Sequence, residues 1–151
     1  MILFDINDKK SVRGLINYSE VESALDFIPK ANSDIIILIN YINIGFDSDT
    51  MSANQIWGFL PKESWKMQKL DIPKTIHEGE LILKGEYDSG SWRVDKDKIW
   101  QTYYDTEKQW VCIGNPVIKE SFFCIEILEN VVAVLNESKH LKSLWVQPNF
   151  I

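Results

Sequence analysis

The chain has 151 residues, 45% of them hydrophobic, with 7 Gly and 5 Pro. That length makes one domain over residues 1–151, large enough to bury a core without a disulfide or metal staple, and the composition excludes a low-complexity disordered chain. Its 16 basic and 22 acidic residues leave a net charge of −6, which disfavours nucleic acid and anionic lipid as direct ligands, and no apolar run is long enough to span a bilayer.

The first residues, MILFDINDKK, carry Asp5 and Asp8 where a signal peptide needs a basic start and an apolar core, so the expected address is cytoplasmic. Ser19 and Glu22 have the S-x-x-E spacing of a capping box. Val21, Ala24, Leu25 and Ile28 follow at i, i+3, i+4 and i+7, one apolar helical face. Pro29 ends the element, and a short helix over 19–28 is predicted. The run IIILINYINI, residues 35–44, is apolar on both faces and predicts a central strand covered on both sides. Residues 45–78 carry little signal; Pro61 and Pro73 bracket KESWKMQKLDI, which fits a loop or a short helical turn.

Leu81, Leu83 and Tyr87 alternate with Glu80, Lys84 and Glu86, a strand with one wet face. DSGS, residues 88–91, marks a turn. IWQTYY and QWVCIG flank DTEK with hairpin spacing, SFFCIEIL is a further strand, and VVAVL and LKSLWV flank NESKH as a second hairpin. The predicted fold class is therefore α+β: a mostly antiparallel meander with one short N-terminal helix packed on it.

Few residues have the pattern that chemistry requires. His77 lies in HEGE, which lacks the second His of H-E-x-x-H, and His140 lies in a turn. Asp47 and Asp49 in DSDT have the spacing that opens a calcium loop, but its sixth and twelfth positions are Ser52 and Gly58. Cys112 and Cys124 sit in apolar runs with no adjacent base, the setting of reduced core thiols; a disulfide between them would need neighbouring strands, and a cytoplasmic address argues against it. Glu86, Asp88, Asp95 and Asp97 surround the 88–91 turn, and two of them would serve a glycosidase if a cleft held them at the right separation. No phosphate loop or nucleophile elbow is present. No metal, cofactor or hydrolytic activity is expected.

The six Trp are the most informative feature. Trp100, Trp110 and Trp145 fall in strands and are expected in the core. Trp57, Trp65 and Trp92 fall near loops (QIWGFLP, PKESW and SGSW), where they are either packed onto the sheet or available for recognition.

A small acidic domain with aromatic loops such as IWGFLPKESW and EYDSGSWRVD, and without catalytic motifs, resembles the immunity proteins of bacterial polymorphic toxin and contact-dependent growth inhibition systems. The resemblance implies a cytoplasmic protein without enzymatic activity that binds the C-terminal toxin domain of a cognate effector, often a basic nuclease. It transfers no residue role. The acidic and aromatic loop residues that would form such a contact are Asp47, Asp49, Trp65, Glu86, Asp88 and Trp92, since loops present side chains on a fixed scaffold. The alternative is a small-ligand or carbohydrate-binding module that uses the loop Trp residues, and a third reading is an enzyme assembled from scattered Asp and Glu.

Overall fold

Strands carry almost the whole fold. In the computed structural model, which describes residues 1–151, they run β1 (Leu3–Asp8), β2 (Leu15–Ser19), β3 (Ala24–Ile28), β4 (Ile35–Ile39), β5 (Ile42–Asp47), β6 (Ser52–Phe59), β7 (Trp65–Met67), β8 (His77–Lys84), β9 (Gly90–Arg93), β10 (Thr102–Asp105), β11 (Trp110–Gly114), β12 (Phe123–Leu128), β13 (Val131–Leu135), β14 (Leu141–Val146) and β15 (Asn149–Phe150). One 3-10 turn, Lys62–Ser64, is the only helical element. The expected α+β class with a packed N-terminal helix is thus corrected to a nearly all-β fold. No helix is long and apolar enough to cross a membrane.

The predicted helix over 19–28 is a turn and a strand. Ile16 faces Phe27 and Tyr18 faces Leu25 across the β2–β3 pair, and all four are buried. Val21 and Ile28, two members of the supposed helical face, are exposed. A period of two that buries two aromatic rings outweighs a four-residue helical pattern. The Ser19 hydroxyl does accept the Glu22 N–H, at 3.2 Å, but it closes a hairpin turn in which Ser23 has φ 54°. The same short side chain serves either kind of turn.

The single strand predicted over 35–44 is a hairpin. Ile35, Ile37 and Ile39 are buried, and so are Ile42, Ile44 and Phe46. The buried set passes from odd to even positions at Asn40 and Tyr41, and that change of phase is the turn. Asn40 has φ 53°, a left-handed conformation that Asn tolerates well. Its side chain is also used: Oδ1 accepts the Trp100 N–H at 2.9 Å, and Nδ2 donates to the Trp100 carbonyl at 2.8 Å. Within 45–78, β6 pairs with β5 through a bulge at Gly45 and Phe46, opposite Gln55 and Ala53. The extra residue, Asn54, interrupts the alternation that a strand needs in order to be read.

Ten of the fourteen strand pairs are antiparallel and four are parallel, so the sheet is mixed. β8 joins its two halves: residues 79–84 pair with β1, and His77 and Glu78 pair in parallel with Ile125 and Glu126 of β12. The chain returns from β14 into β15, which lies parallel to β2. The sheet therefore curls on itself around one core of 28 buried residues. The two C-terminal hairpins, β10–β11 and β13–β14, form as their spacing predicts.

A second, six-residue cluster lies outside that curl. Leu70, Cys112, Cys124, Val132, Val134 and Trp145 pack together with Ile72, Ile118 and Phe122. Both thiols are free and buried, and burial pushes both pKa values up. They sit on β11 and β12 with β14 and β13 between them. Three strand spacings are about 14 Å, twice the reach of a disulfide at about 7 Å between Cα atoms.

Asp105 ties the covering segment down. Its carboxylate accepts backbone N–H bonds from Leu70 at 2.9 Å and from Glu107 and Lys108 at 3.0 Å each. Lys108 Nζ donates to the Leu70 carbonyl at 2.9 Å. The Leu70 N–H leads the bonds that hold the Asp105 pKa below the usual carboxylate range. A depressed folded-state pKa contributes stability above the unfolded value of about 3.9 and loses it as pH falls through the folded value. Asp105→Asn should therefore melt below the parent at pH 7, with the gap narrowing once pH drops under about 4. Melts at the two pH values check this, and a gap independent of pH would refute it.

Candidate functional site

The two acidic loops meet at one end of the sheet. Asp47 ends β5 and its Oδ1 accepts the Asp49 N–H at 2.8 Å, folding residues 48–51 into a tight turn. The Met51 carbonyl then accepts the Leu83 N–H at 2.8 Å, which brings this turn beside the end of β8. Met51 lines an open cavity of about 510 Å³ with Gly85, Glu86, Tyr87 and Asp88. The Asp47–Asp49 turn and the Glu86–Asp88 loop are thus neighbours, although about 40 residues separate them in the chain.

Asp34 locks the arrangement. Its carboxylate accepts the Ser48 N–H at 2.9 Å and the Ser48 hydroxyl at 2.5 Å, while its backbone carbonyl accepts the Gly90 N–H at 3.1 Å. One residue therefore holds both the 48–51 turn and the start of β9. The Ser48 hydroxyl, followed by the Ser48 N–H, lowers the Asp34 pKa. Asp34, Asp47, Asp49, Glu86 and Asp88 form no ion pair; the carboxylates that do are Asp5, Glu20, Asp26, Glu78 and Glu80. Five carboxylates border this rim, and none has a Lys or Arg nitrogen within 4 Å.

Trp92 stands in β9 beside the rim, half-buried, with its ring edge-to-face against Tyr87 at 5.0 Å. Trp65 does not belong there. It is 7% exposed and packs against Tyr18 at 5.0 Å and Tyr104 at 5.3 Å, with Lys62 over its ring. Among the other tryptophans Trp145 is fully buried, and Trp57, Trp100 and Trp110 are half-buried.

The opposite end of β4 and β9 has a different character. Tyr41 is 61% exposed, lies edge-to-face with Phe59 at 6.4 Å, and carries the Arg93 guanidinium 6.0 Å above its ring. This end of the sheet thus carries an exposed aromatic pair with a cation over one ring.

Glu86 and Asp88 precede β9, and Asp95 and Asp97 follow it. The four-residue strand between them spans about 13 Å, more than the about 5–9.5 Å of a glycosidase pair. No three His, Cys, Asp or Glu side chains converge into a metal-binding group. No protein-family model matches the chain, and no curated protein matches it significantly in sequence.

Asp34, Ser48, Met51 and Tyr87 are the site residues that loop composition alone misses. The β4–β5 hairpin supplies the signal. With Ile35 paired to Phe46, Asp34 must stand next to Asp47.

Proposed function

We propose that this chain is a non-catalytic binding protein that neutralises a toxin domain by setting its acidic rim on a basic surface of that domain, such as the phosphate-binding groove of a nuclease. The observation that carries the reading is the convergence of Asp34, Asp47, Asp49, Glu86 and Asp88, free of ion pairs, beside the Tyr87–Trp92 pair. An acidic surface steers a basic partner and raises its association rate. A half-buried tryptophan at the edge of that surface offers an anchor of the kind that slows dissociation. Asp34 and Ser48 hold the two loops in place, so little ordering is left for the moment of binding.

The test is kinetic: the reading expects a toxin domain encoded beside this gene, and that domain serves as the immobilised partner. Reversing Asp47 and Asp88 to Lys should lower the association rate at least about tenfold at low salt and flatten its salt dependence. Trp92→Ala should raise the dissociation rate, at a cost of about 2 kcal/mol or more. Melting curves show whether each variant keeps its fold. An adjacent toxin domain that does not bind, or a complex that ignores all three substitutions, would sink the reading.

A further inference from the structure

β9 is an open edge of the sheet. It pairs with β4 alone, in parallel and without a bulge, and it contains no Pro. The other outer strands are engaged: β7 and β15 meet through the Trp65 and Phe150 rings, and the Phe4 N–H of β1 donates to the Lys139 carbonyl. Gly90 and Val94 donate their N–H groups to the Asp34 and Leu38 carbonyls, at 3.1 and 3.0 Å. In a parallel ladder alternate residues face the same neighbour. Gly90, Trp92 and Val94 therefore turn to β4, and Ser91 and Arg93 turn their N–H and C=O away from it. Both are exposed, and no side chain or loop backbone of the chain bonds to these groups. An edge in this state is ready to take a further strand.

The sequence around β9 is complementary to itself. In an antiparallel pairing centred on Trp92, Ser91 of each copy faces Arg93 of the other. The outward N–H and C=O groups are then matched in reciprocal hydrogen bonds, and the two Trp92 residues form the closer, non-hydrogen-bonded pair between them. Trp92 is half-buried at this edge, and an aromatic cross-strand pair would cover it. Carried into the flanking loops of EYDSGSWRVDKDK, residues 86–98, the same register sets Asp88 against Lys96 and Glu86 against Lys98. These residues are exposed and form no ion pair within the chain. A register centred on Ser91 or on Arg93 matches only one such pair, and the second of them sets Arg93 against itself. Opposite charges across a ladder stabilise it and like charges do the reverse.

We infer that this edge pairs with itself: two copies of the chain join antiparallel through β9, about a two-fold axis beside Trp92, with Asp88–Lys96 and Glu86–Lys98 pairs on either side. A second copy is the occupant that the complementarity within residues 86–98 selects. Two-fold pairing uses the free edge of both copies, so assembly closes at a dimer. Glu86 and Asp88 also belong to the acidic rim, so a toxin domain and a second copy would exclude one another at that loop. The dimer itself does not depend on toxin binding.

Sedimentation velocity of the full chain at low ionic strength, from about 1 to about 500 μM, tests it. The chain should pass from monomer to dimer with a dissociation constant of about 100 μM or tighter, and added salt should weaken the dimer. Ser91→Pro removes an outward N–H and spares the ladder to β4, so it should stay monomeric while still melting cooperatively. Asp88→Lys and Lys96→Asp should each weaken dimerisation at least about tenfold. An equimolar mixture of these two variants should dimerise again, because every contact between positions 88 and 96 is then between opposite charges. The charge variants decide the matter where Ser91→Pro fails to fold. A parent chain still monomeric at about 500 μM overturns the inference. So does a dimer that folded Ser91→Pro leaves intact, or one that the charge variants do not weaken or do not restore on mixing.

Discussion

Ile37→Ala should lower the stability of the domain by about 2–5 kcal/mol, the range for removing a large aliphatic side chain from a close-packed core. Ile37 is fully buried, faces Ile44 across the β4–β5 pair, and lies beside Trp92 in the parallel pairing with β9. Its neighbours on both sides belong to strands whose backbones are fixed by ladders, so the cavity has little freedom to collapse. A domain of ordinary stability, about 5–15 kcal/mol, loses a large fraction of it. The urea midpoint should fall while the slope of the transition is unchanged. Leu38→Ala, on the half-buried convex face opposite Asn43, should cost clearly less. An unmoved midpoint for Ile37→Ala would take this hairpin out of the core.

The same hairpin shows which part of the fold was legible. The apolar run from Ile35 to Ile44 identified strand, but the expected cover on both sides is corrected: Ile36 and Leu38 are only half-buried and Tyr41 is exposed. What it hid was the turn. Asn40 and Tyr41 are not among the strongest hairpin dipeptides, and the apolar residues on both sides invite a single strand. The turn shows only as the shift of buried positions from odd to even, which the unbroken apolar run of residues 35–39 conceals. Missing that shift also hid the site, because only a hairpin sets Asp34 beside Asp47. The helix over 19–28 failed for a related reason. Leu25 and Phe27 fit a period of two, and a helical pattern resting on Val21 and Ile28 assigned a core role to two residues that face water.

Residues 45–78 were opaque because their strands are irregular. β6 contains Ser52, Asn54, Gln55 and Gly58 and is bulged, so neither composition nor alternation marks it. β7 has three residues, too few for any period. Trp65 belongs to it and is buried because β7 lies along β10, which brings the ring against Tyr104. Proximity to prolines in the sequence indicated a loop or a short helical turn, which Lys62–Ser64 supplies, and gave no hint of this parallel pairing. Asp49, Glu86 and Asp88 lie in loops as their composition indicated, whereas Asp47 ends β5 and Trp92 lies within β9. Their mutual placement required the Met51–Leu83 contact, which joins distant parts of the chain. Long-range pairing of this kind leaves no mark on local composition.

Trp145→Ala should have the largest effect of any single change outside the main core, about 3–5 kcal/mol. Trp145 is fully buried, and in the β11–β14–β13 ladder it stands between Cys112 and Val132. Its ring fills the centre of the second cluster, and its Nε1 donates to the Ser143 hydroxyl at 3.1 Å. Removing the ring leaves Ser143 without that donor and opens space beside the Cys112 thiol. Thiolate is the reactive form, and burial holds both thiols protonated, so in the parent they should label only through rare opening of the structure. If opening is global, a loss of 3 kcal/mol or more raises its population, and with it the labelling rate, roughly a hundredfold. If opening is confined to the second cluster, Cys112 should label faster than Cys124, because only Cys112 faces Trp145 directly across the ladder. Mass-resolved alkylation separates the two cases. A Trp145→Ala protein whose thiols label at the parental rate would mean that segments 68–74 and 115–122, which bear Leu70, Ile72 and Ile118, seal the cluster without the indole.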